Sequence, residues 1–129
     1  AENFFLFGMT AEEVMERRTV ESHAQKAIEA DPRLASALNA IRDGRFAPSE
    51  PTRYHNVVGN LEGADYFLVC SDFSDYWRAQ REVDTAFADP QGWARMAAFN
   101  TARSGWFSSD RTIRGYMADM WKAKSLLDR

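Results

Sequence analysis

The sequence predicts an α/β fold, predominantly helical, with about seven helices and two short buried strands. Three observations carry that expectation. Two runs, FFLF (Phe4–Phe7) and YFLVC (Tyr66–Cys70), are apolar throughout, the pattern of strands buried on both faces of a parallel sheet. Elsewhere apolar residues recur at three- and four-residue spacings, marking one face of a helix. Finally, an isolated strand pair is marginal in water, and two-sided burial asks for neighbours that this sequence does not contain. The chain is therefore expected to be the last part of a doubly wound α/β domain whose earlier strands lie upstream, or to rebuild its sheet by association through an exposed sheet edge.

Taken in order, FFLF is closed by Gly8 and followed by TAEE. Thr10 with Glu13 is a capping-box pattern, so a helix is expected from Ala11 to Arg18. A second helix is expected over Val20–Ala30, ending near Asp31 because Pro32 restricts the residue before it. Asp31 then reads as the N-cap of a helix with Pro32 at its first position. Leu34, Ala37, Leu38 and Ile41 form its apolar stripe, and Gly44 stands where a C-cap belongs. Tyr54, Val57, Val58 and Leu61 repeat that spacing ahead of Gly63. After YFLVC, Asp72 reads as the cap of a helix carrying Tyr76, Val83 and Phe87 inward. Asp89-Pro90 repeats the stop-and-restart device and opens a helix with Trp93, Met96, Ala97 and Asn100 on one face, closing at Gly105. A last helix is expected to run to Lys122 with Ile113, Tyr116, Met117, Met120 and Trp121 aligned. No linker divides the chain, which reads as a single segment over residues 1–129.

Composition narrows the function. With 129 residues, 45% apolar and 27% charged, the chain has ordinary globular composition. A formal net charge of −3 argues against a nucleic-acid binder, which needs a basic surplus. No apolar run approaches the roughly 20 residues of a membrane span, and the N-terminal run lacks a basic lead-in, so no secretory signal is expected. The single cysteine, Cys70, excludes an internal disulfide and reads as a buried, inert thiol suited to a reducing cytoplasm. The chain opens on Ala1, with an apolar run almost at once, as a piece of a longer polypeptide would.

Few residues carry chemistry. The stretch ARSGWFSSDRTIRGY, Ala102 to Tyr116, gathers arginines, serines and an aspartate. Capping explains it: Gly105 supplies a left-handed residue that ends one helix, Ser108 or Ser109 caps the next, and Asp110 complements its dipole. The functional alternative is an anion held at that helix start by Arg103 and Arg111 with Ser108 and Ser109, or a contact with another domain through Trp106. His23 and His55 lack the spacing of a metal site or a nucleophile–base pair. Lys26, Lys122 and Lys124 sit in no setting suited to a Schiff base. Catalytic, cofactor-binding and metal-ligating residues are therefore all expected to be absent.

Three stretches carry a resemblance. ENFFLFGMTAEEV, DYFLVCSDFSDYWRAQREVDTAFADPQGW and NTARSGWFSSDRTIRGYMADMW stand in the order of the corresponding segments of the α-glucan phosphorylases, meaning glycogen, starch and maltodextrin phosphorylase. The last is similar to that family's near-terminal signature, S-G-K-F-S-S-D-R-T-I-x-E-Y. Trp106 stands where the family usually has lysine and Gly115 where it usually has glutamate, while Thr19 to Ile41 matches only loosely.

The resemblance implies the C-terminal part of a Rossmann-like lobe of glycosyltransferase-B type. It implies a parent enzyme that uses pyridoxal phosphate and inorganic phosphate to release glucose 1-phosphate from the non-reducing end of an α-1,4-glucan, the cofactor's phosphate serving in proton transfer. The family's cofactor lysine and phosphate-binding residues belong upstream of NFFLFG, so none lands in this chain. Its implied partners are the remainder of the phosphorylase, the α-glucan and phosphate. Its implied role is architectural, and a stand-alone interaction module is the alternative.

Overall fold

A computed structural model describes residues 3–124. Seven α-helices follow one another: α1 (Ala11–Arg18), α2 (His23–Ala30), α3 (Pro32–Arg42), α4 (His55–Glu62), α5 (Val69–Phe87), α6 (Pro90–Arg103) and α7 (Ser109–Tyr116). A 3-10 turn, Ser104–Phe107, joins α6 to α7, and a π-helical turn, Met117–Trp121, follows. Two compact units result: Phe5–Asp84, and the described residues from Thr85 onward with Asn3 and Phe4.

No strand forms among the described residues, which overturns the expected α/β class, the doubly wound lobe and the sheet edge for self-association. A strand needs a ladder partner for its N–H and C=O groups, and neither apolar run finds one. Phe4–Phe7 instead runs irregularly, with Phe4, Leu6 and Phe7 exposed and Phe7 edge-on to Tyr76 at 5.1 Å. Side chains of α5 satisfy the next turn. Gly8 N–H donates to Asp75 Oδ2 at 2.8 Å, Met9 N–H to Asp72 Oδ1 at 3.1 Å, and Arg78 Nη2 to the Leu6 carbonyl at 3.2 Å.

The second run is broken by a cap. Asp65, 2% exposed, accepts from Val69 N–H at 2.8 Å and Cys70 N–H at 3.0 Å, so α5 begins inside YFLVC. Asp65 and Leu68 both take left-handed backbone, φ 35° and 58°, which turns Tyr66 and Phe67 outward between two buried anchors. Asp72, expected to cap this helix, lies within its first turn and serves Met9 instead. Tyr76 and Phe87, expected to face inward, are exposed, and Val83 is half-buried.

Local signals fare better. Thr10 and Glu13 form the reciprocal capping box of α1. Asp31 and Asp89 cap α3 and α6, each ahead of proline. Gly44 follows α3 at φ 71° against Pro51, where an added Cβ would lie 2.5 Å from the Pro51 Cα. The helix expected over Val20–Ala30 is shortened to α2 because Ser22 turns left-handed, φ 55°. Gly105 lies within the 3-10 turn, and the glycines with positive φ among the described residues are Gly8 and Gly44, so Gly105 ends α6 without a left-handed backbone. The last α-helix stops at Tyr116, six residues short of Lys122, whose left-handed φ of 50° closes the π turn.

Within Phe5–Asp84, α2, α3 and α4 pack together around Ala24, Leu34, Leu38 and Cys70, with Ile28, Leu61 and Phe73 alongside. Asp31 ties this group to α5: besides capping α3, it takes Arg33 bidentately at 2.9 and 2.6 Å and the Ser74 hydroxyl at 2.8 Å. The Arg33 guanidinium holds the Asp31 carboxyl well below the usual carboxylate range, and the Ser74 hydroxyl adds to the effect. In the described residues from Thr85 onward, Trp93 and Met96 are half-buried, Phe87 meets Trp93 edge-on at 5.1 Å, and no side chain is fully buried.

Asp65→Ala is expected to destabilise Phe5–Asp84 by about 2 kcal/mol, because it removes a cap and leaves two N–H groups without an acceptor. Asp72→Ala should cost less, and urea unfolding followed by circular dichroism compares them. A pH effect also follows. Donation from Arg78, then from Gly8 N–H, depresses the folded-state pKa of Asp75, so its contribution is present above the unfolded value of about 3.9 and is lost as pH falls through the lower folded value. In Asp75→Asn the fall in stability below about pH 4 should be shallower than in the parent chain.

Candidate functional site

The expected anion or inter-domain residues lie where α6 passes into α7. Asp89 starts α6 by accepting from Gln91 N–H at 3.2 Å, and the helix that follows contains no acidic residue. Arg95, Phe99 and Arg103 stand four residues apart and so share one helical face. The guanidinium carbons of Arg95 and Arg103 lie 5.7 and 5.3 Å from the Phe99 ring centroid, within cation–π range.

The 3-10 turn then displays Trp106 and Phe107, 66% and 83% exposed. Arg111, in the first turn of α7, folds back over this display. Its guanidinium carbon is 4.0 Å from the Trp106 ring centroid, and its Nε donates to the Trp106 carbonyl. Ser108 occupies the cap position without a side-chain cap bond; its carbonyl accepts from Thr112 N–H and Oγ1. Of the five expected residues, the fold brings Trp106 and Arg111 together, sets Arg103 on Phe99, and leaves Ser108 and Ser109 at the start of α7. An anion at that start would compete with Asp110 and would not find Arg111 poised for it.

The sequence analysis does not single out Arg95 and Phe99, although Arg95, Phe99 and Arg103 follow one another at i, i+4 spacing. It also passed over the stack on Trp77, whose ring has Arg33 at 4.9 Å and Arg81 at 4.7 Å. A shallow hollow of about 280 Å³ beside α6 is lined by Asn3, Gly92, Arg95, Met96 and Phe99. Another of about 200 Å³, within Phe5–Asp84, lies beside Tyr66 and Phe67 and is lined mainly by apolar atoms.

Lys26, Lys122 and Lys124 are exposed and line neither of these two hollows. His55 is exposed, with Nε2 3.0 Å from the Arg42 carbonyl. The Cys70 thiol is pushed up to about 11, chiefly by burial and then by the Asp65 carboxylate, and is a poor nucleophile there. Among the described residues no group of three or more His, Cys, Asp or Glu could hold a metal, and no helix is long and apolar enough to cross a membrane.

Comparison with known proteins gives a family. Residues 1–123 match the family model described as carbohydrate phosphorylase. An α-1,4 glucan phosphorylase L isozyme, chloroplastic/amyloplastic, of Vicia faba is 42% identical over 94% of this chain and 12% of its own length. A glycogen phosphorylase of Synechocystis is 38% identical over 98% of this chain and 15% of its own length. The muscle glycogen phosphorylase of Homo sapiens is 37% identical over 93% and 14%. The chain thus spans 12–15% of the length of these curated relatives.

Arg111→Ala should free the Trp106 ring and expose it further to water. The expected outcome is a red shift of intrinsic tryptophan emission that is absent when the same change is made in a Trp106→Phe background.

Proposed function

The chain belongs to the carbohydrate phosphorylase family, and on that premise we propose that it is the C-terminal, architectural segment of a longer α-glucan phosphorylase. The observation that carries the reading is the match of nearly the whole chain to proteins several times its length. The three motifs in register, from ENFFLFG to SSDRTI, support it. Residues 1–129 form one segment of that parent.

The reaction proposed for the parent is phosphorolysis: inorganic phosphate takes the terminal glucosyl unit of an α-1,4-glucan to give glucose 1-phosphate and a chain shorter by one unit. Pyridoxal phosphate is assigned to the parent, on residues outside this chain, and its phosphate supplies proton transfer when bound. This segment contributes no group to the chemistry and is inactive alone. Its partner is the remainder of the polypeptide, with Arg103, Trp106, Ser108, Ser109 and Arg111 as the proposed contact region. The compartment proposed is the cytoplasm, which suits a lone buried thiol.

An antibody raised against this chain should detect in source-cell lysate a polypeptide several times longer, and that polypeptide should release glucose 1-phosphate from an α-glucan and phosphate. The 129-residue chain supplied with cofactor should not. A band of only this length would make the chain an independent interaction module, and turnover by the isolated chain would overturn the assignment of inactivity.

A further inference from the structure

The segment from α6 to the end of the described residues has an unbalanced charge. Pro90 to Lys124 carries six cations against two carboxylates, Asp110 and Asp119, a net of +4 in a chain whose formal charge is −3. Phe5–Asp84 has the opposite balance, and five of its eight arginines pair with carboxylates, among them Arg33 with Asp31, Arg42 with Glu62, and Arg78 with Asp75 and Glu82. Arg95, Arg111 and Arg114 form no ion pair among the described residues. Arg95 and Arg111 lie instead against Phe99 and Trp106. A guanidinium stacked on an exposed ring keeps its charge and most of its donors available, because the ring takes only its face.

Exposed aromatic and apolar side chains accompany these cations: Trp106, Phe107, Met120 and Trp121 are each 58% exposed or more. Aromatic rings with arginine are the composition of a protein interface centre. We infer that the basic, aromatic face of α6 and α7 is a docking surface for a carboxylate-rich surface in the remainder of the same polypeptide. The inference rests on the reading of the chain as part of a longer phosphorylase. Two arguments favour this occupant. Charge complementarity asks for carboxylates, and about seven-eighths of the length of the matched relatives lies outside the chain to supply them. A second copy of this chain, whose Phe5–Asp84 part holds nine cations and fourteen carboxylates, is the competing occupant.

The test uses the full-length polypeptide. A zero-length carbodiimide links Lys122 or Lys124 to any carboxylate in contact, and peptide mapping identifies it. Links to Asp or Glu outside these 129 residues are expected, within one polypeptide when light and heavy isotope-labelled protein are mixed. Their yield should fall on the order of tenfold at about 1 M salt and in Arg95→Glu/Arg114→Glu. The neutral Arg95→Gln/Arg114→Gln pair, which places no new carboxylate in the fold, should show an intermediate fall. Mixed-isotope links to a second copy, no links at all, or a yield indifferent to salt and to both variants would overturn the inference while leaving the phosphorylase assignment standing. If the encoded polypeptide is no longer than this chain, that assignment fails first and this inference with it.

Discussion

The Phe5–Asp84 unit depends on where α5 begins. Asp65 decides it by closing its carboxylate on the amides of Val69 and Cys70 from a buried, left-handed position. A helix end offers free N–H groups, and a side-chain acceptor there is worth more than the apolar pattern of the residues it passes through. Once α5 starts at Val69, its faces are fixed. Asp72, Asp75 and Arg78 meet the turn at Leu6–Met9, Ser74 meets Asp31 at the head of α3, and Phe73 reaches the small core. A start one residue later would rotate each of these by about 100° and break all three attachments.

The two units solve the same problem by different means. Phe5–Asp84 has a few small buried residues and gathers its polar side chains into defined pairs around Asp31, Asp65 and Arg78. The described part from Thr85 onward has no fully buried side chain, yet carries Trp106, Phe107, Met120 and Trp121 on its surface. Arg95 and Arg111 there lean on the rings of Phe99 and Trp106. Large apolar side chains exposed in this number are ordinary on a surface that a neighbour covers.

Legibility followed distance along the chain. The capping box at Thr10, the Asp-Pro starts at Asp31 and Asp89 and the left-handed Gly44 are devices complete within a few residues, so spacing alone reveals them. FFLF and YFLVC were misread because a short apolar run has no period that separates strand from helix, and length and flanks must decide. The deciding flank at YFLVC was Asp65, four residues ahead of α5, acting through a buried carboxylate that no periodicity reports. At FFLF the decision belonged to Asp72 and Asp75, more than sixty residues away. The candidate site divides in the same way: Trp106 and Arg111 stand five residues apart in one polar stretch, while the Arg95–Phe99–Arg103 face has no cap or glycine to mark it, only cations resting on a ring.

Two departures from the family's near-terminal signature take on physical meaning in this setting. A lysine at position 106, which the resemblance implies for the family, would offer Arg111 like charge in place of a ring. Tryptophan gives that guanidinium a ring at 4.0 Å and a backbone carbonyl, so the substitution relocates a cation as well as replacing one. Gly115 acts through the backbone. A Cβ there would meet nothing within 4 Å, so packing does not demand glycine, and its presence costs α7 about 1 kcal/mol relative to alanine. The α-helical ladder gives way to the π turn two residues later, at Met117. That turn carries Met120 and Trp121, both exposed, so the change of pitch falls where the α-helix is already weakest.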